Sequence, residues 1–175
     1  MQLVSKKEVY KKDSIVLTER IFVSNGKKIT RVSLSMGKDA VLIIPLDQNN
    51  NFYLEKQKRV DNEGYTLEFP NGGIEKGETK LKAAKRELSE ELGLEGDMRY
   101  IGEFRPFDSL VKLTVSVFVC KNARKQEKVK KLQPDFYEKI KMKRFTQKEI
   151  YNLVKQGKIK HSYFLSALTL YNSHA

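Results

Sequence analysis

The chain has 175 residues, 39% hydrophobic and 32% charged, with 34 Lys and Arg against 22 Asp and Glu for a formal net charge of +12. That length buries one sizeable core and a small appended sheet, but hardly two full domains. No apolar run approaches the roughly 20 residues that span a bilayer, Met1-Gln2-Leu3-Val4-Ser5-Lys6-Lys7 lacks the apolar stretch of a signal peptide, and a single cysteine, Cys120, excludes an internal disulfide.

The expectation is a cytoplasmic protein with no membrane partner. With only His161 and His174 beside Cys120, no zinc site assembles convincingly. The positive charge either attracts nucleic acid or serves solubility. The lysines are spread along the chain and no RNA-binding motif accompanies them, so the second reading is preferred and nucleic acid is disfavoured as a partner. The densest stretch, Lys121 to Lys131, reads as a solvated connector.

In chain order, Ser14 to Val23 and Lys28 to Ser35 are β-rich runs joined across Asn25-Gly26, a strong hairpin signal. They predict a small N-terminal antiparallel sheet over residues 1–37, set before a domain over 38–175. Ala40 to Leu46 reads as a buried strand, Gln48-Asn49-Asn50-Asn51 as a turn, and Phe52 to Gln57 as the antiparallel partner. A helix is predicted from Thr79 to Leu92, with Leu81, Ala84 and Leu88 as its core stripe and Gly93 as its stop. Strands follow at Met98 to Phe104, Lys112 to Cys120 and Glu138 to Phe145, with Cys120 buried. Thr146-x-x-Glu149 is a capping box for a helix through Ile150, Leu153 and Val154, and Ser162 is expected to cap a last helix over Phe164 to Tyr171. Helices on both sides of a mixed sheet make an α/β/α sandwich.

The central helix carries the chemistry. Glu87, Glu90 and Glu91 stand at i, i+3 and i+4, so three carboxylates crowd one edge. Like charges at these offsets weaken a helix by about 0.2–0.5 kcal/mol per pair. A divalent cation resolves the repulsion, and clustered hard oxygens suit Mg²⁺, with Mn²⁺ as the alternative. Ahead of the helix, Pro70-Asn71-Gly72-Gly73 lets the backbone approach a ligand closely, and its carbonyls can serve as metal ligands. Arg86, flanked by acids, is expected to pair with Glu78 and hold the loop on the helix. An isolated Glu-Glu pair would most often be a solvated face, but here each fixed position of a 23-residue pattern is filled.

That pattern, Gly72-x5-Glu78-x7-Arg86-Glu87-Leu88-x-Glu90-Glu91-x-Gly93-Leu94, resembles the signature of the Nudix hydrolases. The resemblance implies a Nudix-type α/β/α sandwich and a Mg²⁺-dependent hydrolase of a nucleoside diphosphate linked to another moiety. Gln57-Lys58-Arg59, Leu67-Glu68-Phe69-Pro70, Gly157-Lys158-Ile159-Lys160 and Ala167-Leu168-Thr169-Leu170 look like the ADP-ribose and ADP-sugar pyrophosphatase branch. By that likeness, Glu87, Glu90, Glu91 and the Asn71 carbonyl would hold metal. Arg59 would contact the diphosphate or sugar, Gly72 and Gly73 would approach the substrate, Glu68 would position substrate or metals, and Phe107, after Pro106, would stack on a base. Asp135, or else Glu138 or one of the signature glutamates, would orient the attacking water. The branch also implies a homodimer built through the N-terminal sheet.

The leading expectation is therefore hydrolysis of ADP-ribose or a related nucleoside diphosphate sugar to a nucleoside monophosphate and a sugar phosphate. The alternatives are a pyrophosphohydrolase of nucleoside triphosphates, dinucleoside polyphosphates or capped RNA, and a non-catalytic nucleotide-binding module.

Overall fold

A computed structural model describes residues 1–58, 64–127 and 141–174. Arg59, Asp135 and Glu138 lie outside the described residues, as do 139–140 of the last expected strand.

The chain divides into two compact units, 1–39 with 105–115, and 40–104 with 116–175. The first is a four-stranded sheet in the order β1-β2-β3-β9, with β1 at Gln2–Lys12, β2 at Ile15–Ser24, β3 at Lys27–Ser35 and β9 at Val111–Lys112. The expected hairpin is present: β2 and β3 pair antiparallel from Val16↔Ser35 to Ser24↔Lys27. Asn25 and Gly26 both take positive φ, 49° and 73°, as the two-residue turn requires. β1 was not expected, because its eleven residues carry no continuous apolar face and are exposed along their whole length. It pairs with β2 with irregularities between Leu3 and Ser5 and between Glu8 and Tyr10.

The second unit holds two further sheets and three helices. One sheet runs β7-β4-β10-β8 and the other β11-β5-β6. The ranges are β4 Ala40–Pro45, β5 Phe52–Lys58, β6 Tyr65–Glu68, β7 Asn71–Gly73, β8 Leu94–Phe104, β10 Val115–Lys125 and β11 Lys141–Phe145. Helix α1 spans Lys80–Leu92, α2 Gln147–Lys155 and α3 Ser162–Ser173. Helix α1 packs on β4, β7 and β8, and α3 on β4 and β8.

Three sequence expectations need correction. Leu81 is 44% exposed; the stripe that enters the core is Ala83, Ala84, Leu88 and Leu92, rotated about the helix so that Leu81 falls on its wet flank. Ser162 is the first residue of α3 rather than its cap, a place taken by His161 without a side-chain hydrogen bond. Lys121 to Lys125 belong to β10 instead of a connector, with Lys121, Asn122, Arg124 and Lys125 exposed and Ala123 buried in the core.

The caps of α1 and α2 match the sequence. Thr79 accepts the Lys82 amide, and Gly93, at φ 64°, ends α1 in a left-handed turn with its N–H on the Leu88 and Ser89 carbonyls. At α2 the Thr146 and Glu149 side chains cap one another's backbone.

The core of this unit has two parts. Val41, Ile43, Ala84, Leu88, Phe118 and Cys120 pack between α1 and its sheet. Cys120 has no exposed surface, and burial pushes its thiol up to about 11. An aromatic group forms the second part: the rings of Phe69 and Phe164 stack at 4.2 Å and 8°, and Phe52 lies 5.5 Å from Tyr171, edge on. Phe69 immediately precedes Pro70-Asn71-Gly72-Gly73, so this stack fixes the chain just where it enters the glycine turn.

Candidate metal centre

The glycine turn is an edge strand. β7 pairs antiparallel with β4 through Ala40↔Gly73, Val41↔Gly72 and Leu42↔Asn71, and the Ile43 amide bonds the Pro70 carbonyl at 2.9 Å. Alternation of the ladder then turns the backbone N–H and C=O of Asn71 and Gly73 away from β4. Both outward groups meet α1: the Asn71 amide donates to Glu91 Oε2 at 3.0 Å, and the Gly73 carbonyl accepts Arg86 Nη2 at 2.9 Å. The Asn71 carbonyl shares the edge of its own amide, on the side where a metal ligand is expected of it.

Gly72 faces Glu87. A Cβ built there would fall on the Glu87 carboxyl group, so only glycine lets helix and strand come this close. Glu87 is 8% exposed, an unusual depth for an acid without a compensating charge.

Part of that charge is in the chain itself. Arg86 donates to Glu78 through Nε and Nη2, both at 3.0 Å, to Glu87 at 2.7 Å and to Glu90 at 3.1 Å. The expected pairing with Glu78 is present, and the same guanidinium reaches two of the three helix glutamates, which spacing alone did not show. Its neighbours hold it firmly protonated, and hydrogen bonds from Arg86 and the Glu75 amide keep Glu78 below the ordinary carboxylate range.

Glu91 is the exception. Burial drives its carboxyl well above the ordinary range, the Glu55 and Glu87 carboxyl groups add to the rise, and the Asn71 amide only partly offsets it. The sequence reading missed Glu55. It lies on β5, 1% exposed, directly opposite Glu68 of β6, also 1% exposed. In Phe52-Tyr53-Leu54-Glu55-Lys56-Gln57-Lys58 it looks like one more surface acid among lysines. The usable signal was period-two alternation, which puts Glu55 and Gln57 on one face of a strand between two others.

Glu68 accepts a hydrogen bond from Thr66 Oγ1 at 2.6 Å and is turned from solvent. Phe107 sits in the first unit, in the turn before β9, where its carbonyl accepts the Leu110 and Val111 amides; its ring is 59% exposed.

The donor set fits a hard divalent cation: carboxylates and an outward backbone carbonyl, with no thiolate or imidazole among them. Among the described residues no three acidic, His or Cys side chains converge in ligating geometry, with Arg86 drawing Glu87 and Glu90 to itself.

Residues 36–168 match the family model of the NUDIX domain. A segment of 64 residues is 45% identical to an ADP-sugar pyrophosphatase of Mus musculus, covering 34% of this chain and 29% of that protein. Another, of 57 residues, is 39% identical to an RNA pyrophosphohydrolase of Pelagibacter ubique, covering 33% and 35%. A third, of 97 residues, is 31% identical to a methanol dehydrogenase activator of Bacillus methanolicus, covering 55% and 52%. The chain thus spans between about a third and about half of the length of these curated relatives. Its fold is similar to that of a solved ADP compounds hydrolase, with a TM-score of 0.84 at 22% identity over 98% of this chain and 92% of the other. The family match covers most of the sequence and includes the whole acidic edge, and the chain belongs to the Nudix hydrolase family, whose members use divalent metal ions.

Proposed function

We propose that this protein hydrolyses the diphosphate bond of ADP-ribose or a related nucleoside diphosphate sugar, with Mg²⁺, to a nucleoside monophosphate and a sugar phosphate. The observation that carries this reading is the approach of Glu91 to the Asn71 amide and of Glu87 to Gly72, with Arg86 joining Glu87 and Glu90 to the Gly73 carbonyl. The relative named ADP-sugar pyrophosphatase and the fold shared with an ADP compounds hydrolase support the choice of substrate class.

Cleaving a P–O–P bridge requires neutralised charge on the phosphates and a water aimed in line with the leaving group. A bound divalent ion supplies charge neutralisation and a more acidic water. The chain's own residues do the rest. Glu87, Glu90, Glu91 and the Asn71 carbonyl would hold the ion, the Asn71 amide orients Glu91, and Arg86 locks the turn to the helix. The sequence-based roles of Arg59 toward phosphate, of Phe107 toward a base and of Asp135 or Glu138 toward water belong to the same reading.

Glu91→Gln should abolish Mg²⁺-dependent release of AMP from ADP-ribose. An unchanged rate would remove Glu91 from the role given to it.

A second reading is hydrolysis of triphosphates, dinucleoside polyphosphates or capped RNA. The net charge of +12 and the matches to RNA pyrophosphohydrolases favour it. Products identified by mass distinguish the two: pyrophosphate or 5′-monophosphate RNA under the second, AMP and a sugar phosphate under the first. The N-terminal sheet is assigned to a homodimer contact, supported by the exposure of Leu3, Val4, Val9 and Tyr10 on β1. Light scattering that returned a monomer mass would overturn this. No helix of the described residues is long and apolar enough to cross a membrane, and a cytoplasmic location accords with that.

A further inference from the structure

We propose that one face of the N-terminal sheet is a platform for single-stranded nucleic acid, with phosphates lying on Lys6, Arg20 and Arg31 and a base stacking on Phe22. The platform lies wholly within the first unit and is independent of which bond the protein hydrolyses.

Strand register gathers the charge. Lys6 of β1 stands directly opposite Arg20 of β2, and Arg20 directly opposite Arg31 of β3, so three cations lie abreast on one face. Alternation along β2 puts Val16, Thr18, Phe22 and Ser24 on that face with Arg20. Their partners add Lys11, Lys27 and, through Ser35, Lys112 of β9. Glu8, opposite Thr18, is the one acid on this face among the described strand residues. These six cations are scattered from residue 6 to residue 112, so no basic motif announces them in the sequence. The other face carries Lys7, Lys12 and Lys28 with Glu19, and most of the apolar residues of the sheet, Leu17, Ile21, Val23 and Leu34 among them. A homodimer contact has that second face to use.

Like charges directly opposite one another weaken a sheet, and no acid stands within the row to relieve it. Arg20 donates from Nη1 to the Ser33 hydroxyl, a neutral acceptor on the same face. Lysines on an edge strand guard against stray pairing, which accounts for Lys6 but not for Arg20, on a strand with a neighbour on either side. A surface shaped for solubility mixes both signs. Lys6 and Arg31 are exposed and Arg20 is half-buried, so their charges are open to a polyanion. The next row along the sheet is apolar, Leu3, Phe22 and Ile29. Cations that track a phosphate backbone beside an aromatic ring that takes a base are the two components of single-strand recognition. A membrane surface would instead call for apolar side chains that stand clear enough to insert, whereas Phe22 and Ile29 are half-buried.

The test is fluorescence anisotropy of a labelled oligouridylate mixed with the whole chain, in chelator and across a series of salt concentrations. Wild type should bind, and log affinity should fall against log salt with a slope of about −2 or steeper, as three phosphate contacts on a single strand require. Lys6→Gln, Arg20→Gln and Arg31→Gln combined should weaken binding roughly tenfold or more and remove most of that slope. Lys7→Gln, Lys12→Gln and Lys28→Gln combined, an equal loss of charge from the other face, should leave both nearly unchanged. Phe22→Leu should weaken binding roughly fivefold or more with the slope kept. Should the first combination fail to fold, Arg31→Gln alone, at an exposed position, should still flatten the slope by about 0.7. No binding by wild type, equal effects of the two combinations, or displacement of the oligonucleotide by ADP-ribose overturns the platform. Tighter binding to vesicles of anionic phospholipid than to oligouridylate overturns it in favour of a membrane surface. Failure of the wild-type protein to hydrolyse ADP-ribose would overturn the hydrolase reading and leave this one standing.

Discussion

Arg86 grips Glu78 with two parallel hydrogen bonds of 3.0 Å, Nε to Oε1 and Nη2 to Oε2. Glu78 also takes the Glu75 amide at 3.0 Å, so the pair closes the loop after Gly73 onto the first turns of α1. The planar fork does this while its third nitrogen, Nη1, reaches Glu87 and Glu90. A lysine offers one point charge and cannot meet all these acceptors. Arg86→Lys is expected to cost roughly 1–3 kcal/mol of stability and to lower hydrolysis at saturating Mg²⁺ at least tenfold, checked by denaturant titration and by steady-state rates.

Gly72→Ala should act on the site with little effect on the core. The new methyl would land on the Glu87 carboxyl, and either the turn or the helix side chain must give way. Displacing a ligand by about 1 Å is enough to cost on the order of 100-fold in rate. The expected outcome is a folded protein with weakened Mn²⁺ binding and a loss of that size; full activity would show that β7 and α1 need not approach so closely.

Without divalent ions, stability should fall as the solution is made more alkaline. Glu91 ionises at a higher pH in the folded protein than in the unfolded chain, chiefly because it is buried. Between the two values the folded state holds the extra proton, so the slope of unfolding free energy with pH is negative. Its contribution is whole below the ordinary carboxylate value of 4.5 and fades as pH rises above it. Tm measured in chelator against pH should decline through that window, and Glu91→Gln should flatten the decline. A wild-type Tm independent of pH there would count against the burial of this carboxyl.

Thr146→Ala supplies the contrast. The hydroxyl caps the Glu149 amide and also touches its carboxylate, and neither residue adjoins the acidic edge. Loss of the cap should cost about 0.5–2 kcal/mol with kcat and KM unaltered.

What could be read from the sequence follows from the range of the interactions involved. The capping box at Thr146, the stop at Gly93 and the Asn25-Gly26 turn are decided within a few residues, and all three stand as expected. The acidic edge was legible because i, i+3 and i+4 on a helix need no tertiary knowledge. Leu81 was misplaced because a narrow stripe of Ala83, Ala84, Leu88 and Leu92 can be rotated by one position without changing its period. β1 was invisible because its evidence is a partner strand, not a pattern of its own. Glu55 was missed for a related reason: a single acid acquires meaning only when β6, β7 and α1 are folded around it.

The thiol of Cys120 is the one sulfhydryl in the chain, and it lies under Gly96, where even a methyl group would touch its sulfur at 2.7 Å. Alkylating reagents therefore have no route to it until β8 and β10 separate. The rate of modification becomes a clock for that separation, and a native protein that resists iodoacetamide while a destabilised variant reacts would time the opening of the sheet beneath α1 with no added probe.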